Sequence, residues 1–137
     1  MSKILVVDDE KNIRLVVGKS LEKAGYAVDY AVDGVEAVDK ANNISPDLIL
    51  LDLRLPKMNG FLVLEALKSD AATEEIPVII LSALSEEDDV QKAISSGAED
   101  FLVKPISQSD LLAAVEESIM EEGTGQEEIE EEDNNEK

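Results

Sequence analysis

Three aspartates, a serine and a lysine each stand directly after a short apolar run. Asp8 and Asp9 follow Ile4-Leu5-Val6-Val7, Asp52 follows Leu48-Ile49-Leu50-Leu51, Ser82 follows Val78-Ile79-Ile80-Leu81, and Lys104 follows Phe101-Leu102-Val103. If these runs are parallel strands, all five side chains meet at one edge of a sheet. Three carboxylates against one ammonium leave two negative charges in excess, and like charges a few ångströms apart repel unless a cation joins them. The donors are all oxygen, because the chain has no His and no Cys. Oxygen ligands favour a hard divalent ion, Mg²⁺ or Mn²⁺, and Mg²⁺ commonly shares its shell with water and a substrate phosphate. The set therefore points to phosphoryl chemistry.

Taken singly, each residue has a plainer reading. Asp8 and Asp9 suit a helix-capping pair, Asp52 and Ser82 suit turns, and Lys104 suits a solvated surface. The joint arrival of these groups at four strand ends is what favours a site.

The elements that must position them alternate along the chain. Ile4–Val7 reads as a buried strand. Asn12 to Ala24 has helical spacing, with Ile13, Val16, Val17, Ser20 and Leu21 on one face and Gly25 as the stop. Tyr26–Tyr30 alternates as a strand, and Gly34–Asn42 follows as a helix with Val35, Val38 and Ala41 inward. Asp47–Leu51 is the most apolar strand, Phe61–Ser69 a helix, and Val78–Leu81 a strand opened by Pro77. Ser85 caps a helix through Ser96 that stops at Gly97, Asp100–Val103 is a strand, and Ser107 caps a last helix through Ile119. This is a (βα)₅ pattern. Continuous apolar strands separated by helices predict a parallel sheet covered on both faces, a doubly wound α/β fold. The pattern alone leaves the strand order open. In such sheets ligands bind beyond the carboxyl ends of the strands.

Charge and composition exclude several functions. A chain of 137 residues with net charge −20 has no basic face for nucleic acid or for an anionic membrane surface. Without His it performs no Ser-His-Asp catalysis and carries no phosphohistidine of its own. The apolar run at Ile4–Val7 is too short for a signal peptide or a membrane span, so a cytoplasmic location is the default expectation. Residues 1–120 form one domain in this reading. Glu121–Lys137, with nine acids and one Lys, reads as a disordered acidic tail, solubilising or able to dock on a basic surface.

The ordered motifs resemble a known family. Ile4-Leu5-Val6-Val7-Asp8-Asp9-Glu10, Asp47 through Leu53 with Leu55-Pro56 and Met58-Asn59-Gly60, Pro77 through Ala83, and Gly97-Ala98 with Asp100 through Pro105 resemble the receiver domains of two-component response regulators. The kind suggested is single-domain and chemotaxis-regulator-like. The resemblance implies strand order 2-1-3-4-5 and a flavodoxin-like sheet. It implies Asp52 as phosphoacceptor, with Asp9, Asp52 and the backbone carbonyl of Arg54 holding Mg²⁺ directly and Asp8 acting through a metal-bound water. Lys104 and Ser82 would stabilise the phosphoryl oxygens, and the Lys104–Pro105 bond would be cis.

The resemblance also implies partners and a switch. A sensor histidine kinase or histidine phosphotransfer protein would supply the phosphoryl group. Ser82 would then move inward, Phe101 would turn into the vacated space, and the α4-β5-α5 face would change for a downstream protein target. Phe101 is equally well read as a core aromatic. Arg54 and Leu84 flank the path of the attacking water, and their bulk is expected to slow dephosphorylation; Arg54 also suits a solvent-facing partner contact. Two other readings compete. A pseudo-receiver would bind partners without phosphorylation, but such modules usually lack one of the acids or the lysine. A phosphatase of the haloacid dehalogenase type would need an acid two residues after its nucleophile, where Arg54 stands.

Overall fold

The computed structural model describes residues 1–83 and 87–127, with the backbone alone for 121–127. Ten elements alternate: β1 (Lys3–Val7), α1 (Lys11–Lys23), β2 (Ala27–Ala31), α2 (Gly34–Ile44), β3 (Leu48–Leu51), α3 (Gly60–Lys68), β4 (Val78–Ser82), α4 (Glu87–Ser95), β5 (Asp100–Val103) and α5 (Gln108–Glu127). The strands form one parallel sheet in the order β2-β1-β3-β4-β5.

Successive strand side chains point to opposite faces, and this alternation splits the core in two. Leu5, Val7, Ile49, Leu51, Val78 and Ile80 pack on one face against Ala37 and Ala41 of α2, Val63, Leu64 and Leu67 of α3, and Ala93 of α4. Ile4, Val6, Leu48, Leu50, Ile79 and Leu81 pack on the other face against Val17 and Leu21 of α1 and Leu111 and Val115 of α5. Each fully buried aliphatic side chain of this kind contributes about 1.5–3 kcal/mol. Burial on both faces is why the strands read as continuous apolar runs.

Local signals set the helix ends. Asp33 caps α2 by accepting from Glu36 N at 2.8 Å, while Glu36 reaches back to Val32 N at 2.9 Å. Asn59 accepts from Leu62 N at the start of α3, and Ser107 accepts from Asp110 N at the start of α5. Asp8 and Asp9 are not a capping pair: the N-cap of α1 is Glu10, and no side chain caps that end.

Three expectations about faces and ends are corrected. Val16 is 65% exposed, because the buried stripe of α1 runs through Val17, Gly18 and Leu21. Val35 is 47% exposed, because Gly34, Ala37 and Ala41 hold the inner stripe of α2. Helix α5 continues past Ile119 to Glu127, into the acidic segment. The remainder of that segment, 128–137, lies outside the described residues, as do Leu84 and the Ser85 cap. Among the described residues no helix is long and apolar enough to cross a membrane.

Candidate phosphoacceptor site

The register brings the acids level with one another. Val7 pairs with Leu51 across β1 and β3, so the next residues, Asp8 and Asp52, emerge side by side. The ladder continues one step beyond the strands, with Asp52 N donating to Val7 O at 3.0 Å and Asp8 N to Ala31 O at 3.1 Å. Ser82 pairs with Val103, and Lys104 N then donates to Ser82 O at 2.8 Å. Backbone hydrogen bonds thus fix four of the five groups before any side-chain contact is considered.

The side chains converge as the spacing predicts. Carboxylate oxygens of Asp8, Asp9 and Asp52 lie within 4.8 Å of one another. Asp8 and Asp52 are buried, whereas Asp9 opens to solvent. Lys104 Nζ donates to Asp8 Oδ2 at 2.6 Å and to Asp52 Oδ2 at 3.1 Å. The other oxygen of Asp52 accepts from Arg54 N at 3.1 Å, and Asp8 Oδ1 accepts from Glu10 N at 2.9 Å. Ser82 is fully buried at the end of β4. Phe101 is half-buried and packs on the core face shared with α3 and α4, and Arg54 is exposed. The Lys104–Pro105 peptide bond is cis.

Electrostatics follow from this crowding. Burial raises the Asp52 carboxyl above the ordinary aspartate range, with the Asp8 charge adding to the rise, and the Arg54 amide and Lys104 only partly offset it. Burial works against the Lys104 ammonium, yet Asp8 and Asp52 together overcome that and lift it above the ordinary lysine range. The donor set fits a hard divalent ion. Three carboxylates within 4.8 Å of one another, in a chain with neither His nor Cys, supply the oxygen-only ligands that such an ion takes.

Three supporting contacts escaped the sequence reading. Arg14 Nη1 donates to the backbone carbonyl of Asp8 at 2.8 Å, pinning the loop that carries both acids. Lys57, held at φ 69°, pairs with Asp33 Oδ2 at 3.3 Å and ties the β3–α3 loop to the start of α2. Gly60 lies so close to Asp52 and Leu53 that an added Cβ would sit 2.5 Å from Asp52 O. The first two need the relative placement of helices and loops, which no local pattern carries. Gly60 did stand in a quoted motif, but its role is steric and shows only in three dimensions.

The fold and site define a doubly wound parallel sheet with an acidic cluster and a lysine gathered at its carboxyl edge, where such sheets bind ligands. The comparisons name the family. Residues 4–116 match the response regulator receiver domain, and this chain belongs to that family. It is 44% identical over 115 residues to the DNA-binding dual master transcriptional regulator RpaA of Synechocystis, covering 84% of this chain and 48% of that protein. The chain thus spans about half the length of that relative. Among solved structures it is similar to the chemotaxis protein CheY4 of Vibrio cholerae, at TM-score 0.82 and 34% identity, covering 86% of this chain and 98% of that one. It is also similar to the receiver domain of the sensor histidine kinase PA1611 from Pseudomonas aeruginosa, solved with magnesium coordinated in the active-site cleft, at TM-score 0.81 and 28% identity, covering 87% and 98% of the two chains. The acids and the lysine of the resemblance are all present and gathered, so the pseudo-receiver reading is not favoured.

Proposed function

We propose that this receiver domain takes a phosphoryl group on Asp52 from a phosphohistidine of a kinase or phosphotransfer protein, and signals by changing its α4-β5-α5 face. The observation that carries the reading is Lys104 joined to both Asp8 and Asp52 beside a compact set of three carboxylates. An Asp52 oxygen attacks phosphorus in line, the bond from phosphorus to the donor nitrogen breaks, and the donor imidazole keeps the electron pair and a proton. The product is an acyl phosphate on Asp52.

Asp8, Asp9, Asp52 and the Arg54 carbonyl would hold Mg²⁺. When bound, that ion supplies positive charge to the phosphoryl oxygens and offsets the excess of carboxylates. Lys104 releases its contact with Asp52 and pairs with a phosphoryl oxygen, a charge-assisted bond stronger than a neutral one. The Ser82 hydroxyl bonds another oxygen. Phe101, on the strand beside Ser82, then repacks, so a local charge change biases a two-state element. Water attacks the acyl phosphate in the return step, and Arg54 screens its path.

The test is a map of backbone amide shifts on adding acetyl phosphate with Mg²⁺. The reading expects changes around Asp52 that spread through α4, β5 and the start of α5 in wild type and vanish in Asp52→Asn. In Ser82→Ala the changes should stay near Asp52. Shifts confined to the metal site in wild type would contradict the switch.

A further inference from the structure

Asp8 and Asp9 are neighbours in sequence but are held in different ways. Every polar atom of Asp8 is engaged. Its N donates to Ala31 O at 3.1 Å, Oδ1 accepts from Glu10 N at 2.9 Å, Oδ2 accepts from Lys104 Nζ at 2.6 Å, and its carbonyl accepts from Arg14 Nη1 at 2.8 Å. Asp9 is exposed, and among the described residues no hydrogen bond or ion pair holds its carboxylate. Yet that carboxylate is one of the three gathered within 4.8 Å. Its place comes from the backbone.

One peptide plane decides that place. The Asp8 carbonyl and the N–H and Cα of Asp9 are coplanar, because the C–N bond between them has partial double-bond character. Turning the plane about the Asp8 Cα–C bond would carry Asp9 away together with the carbonyl oxygen. The sheet does not restrain it, since β2 stops at Ala31 and the bond from Asp8 N closes that ladder. Helix α1 adds no cap of its own, for Glu10 makes no side-chain cap bond. Arg14 fills this role. Its N donates to Glu10 O at 3.1 Å while its half-buried side chain returns to the Asp8 carbonyl, so one residue holds both ends of the Asp8–Glu10 turn.

Divalent ions differ in what a misplaced ligand costs them. Mg²⁺ demands near-ideal octahedral geometry, whereas the larger Ca²⁺ accepts oxygens in flexible arrangements at longer distances. A carboxylate fixed through its peptide plane therefore matters more to Mg²⁺. The charge of Arg14 acts the other way. A guanidinium beside a cation site repels both ions, so its removal by charge alone would tighten binding of each.

We propose that Arg14 is a positioning residue which, by fixing the Asp8–Asp9 peptide plane, makes this site favour Mg²⁺ over Ca²⁺. The inference rests on the reading of Asp8, Asp9 and Asp52 as ligands of a divalent ion.

The test titrates metal-free, isotope-labelled wild type, Arg14→Met and Lys11→Met with Mg²⁺ and, separately, with Ca²⁺, and takes each Kd from amide shifts. Arg14→Met should bind Mg²⁺ about tenfold more weakly, as when the hydrogen-bond partner of a metal ligand is removed, and Ca²⁺ less than about twofold more weakly. Lys11→Met removes an exposed cation from the first turn of the same helix and should weaken neither ion. Unchanged or tighter Mg²⁺ binding in Arg14→Met would reduce the guanidinium to a nearby charge and overturn the proposal. Equal losses for the two ions would assign Arg14 to general support of the helix and overturn it as well. Should Arg14→Met fail to fold, Arg14→Gln, whose side chain is shorter and still polar, enters the same comparison. A wild type that binds neither ion would bring down the metal site itself. Wild-type Mg²⁺ binding beside either contrary result for Arg14→Met would strike this inference alone.

Discussion

Lys104 sits closer to Asp8 than to Asp52, with Nζ at 2.6 Å from the first and 3.1 Å from the second. The resting lysine is therefore shared, and its main tie is to the residue that is not the proposed phosphoacceptor. In the proposed mechanism the ammonium would move its contact from Asp52 to a phosphoryl oxygen, with Asp8 still beside it.

Removing this ammonium exposes the charge imbalance. In Mg²⁺-free buffer Lys104→Met should lower unfolding free energy by about 2 kcal/mol, below the usual loss for a fully buried pair because the site opens to solvent through Asp9. Added Mg²⁺ should recover part of the loss, since a divalent ion can take over the missing positive charge. Urea unfolding with and without Mg²⁺ measures both effects; a loss that Mg²⁺ leaves untouched would mean that the lysine acts through packing.

Asp52 gives a pH dependence with a definite sign. Its folded carboxyl is raised above the ordinary range by burial. A raised folded value favours the folded state at acidic pH, below the unfolded value, and that contribution is lost as pH rises through the folded value. At neutral pH the charged Asp52 is thus a liability in the metal-free protein. Asp52→Asn should raise the urea midpoint at neutral pH without Mg²⁺, and the gain should shrink as the buffer is taken down into the acidic range. Saturating Mg²⁺ should stabilise wild type and not the variant, by mass action on a site only wild type retains.

The β3–α3 loop must pass within contact distance of the site. A Cβ on Gly60 would lie 2.4 Å from Leu53 Cα and 2.5 Å from Asp52 O, both backbone atoms. Gly60→Ala should therefore cost about 1–3 kcal/mol of stability, as overpacking does. It should also weaken Mg²⁺ binding by displacing the Asp52–Arg54 segment. Calorimetric titration checks the second effect.

Much of this was legible in the sequence because parallel strands buried on both faces leave apolar runs with sharp polar ends. Asp8, Asp9, Asp52, Ser82 and Lys104 could be found by where those runs stop. The strand order came from the resemblance, since periodicity constrains faces and not neighbours. Helix faces were less legible. Val16 and Val35 match the apolar type of a core residue, yet small residues take the inward positions beside them: Gly18 lies against Tyr30 of β2, and Gly34 against Met58 and Val63. The Arg14 and Lys57 contacts were invisible because both side chains reach across to other elements.

Arg54 tests the proposed control of lifetime. Its amide is fixed on Asp52 while its side chain is exposed beside the site. Arg54→Asn should shorten the phosphorylated lifetime about threefold, equivalent to about 0.6 kcal/mol of barrier. Phosphate-release kinetics give the number, and an unchanged rate would assign Arg54 to partner contact.

The most direct measurement is the intact mass of the protein after exposure to acetyl phosphate, followed by localisation of the added group. Wild type should gain one phosphoryl group on Asp52 with Mg²⁺ present and none in a chelator, and Asp52→Asn should gain none under either condition. An unmodified wild type, or a phosphoryl group found on another residue, would contradict the assignment of this site.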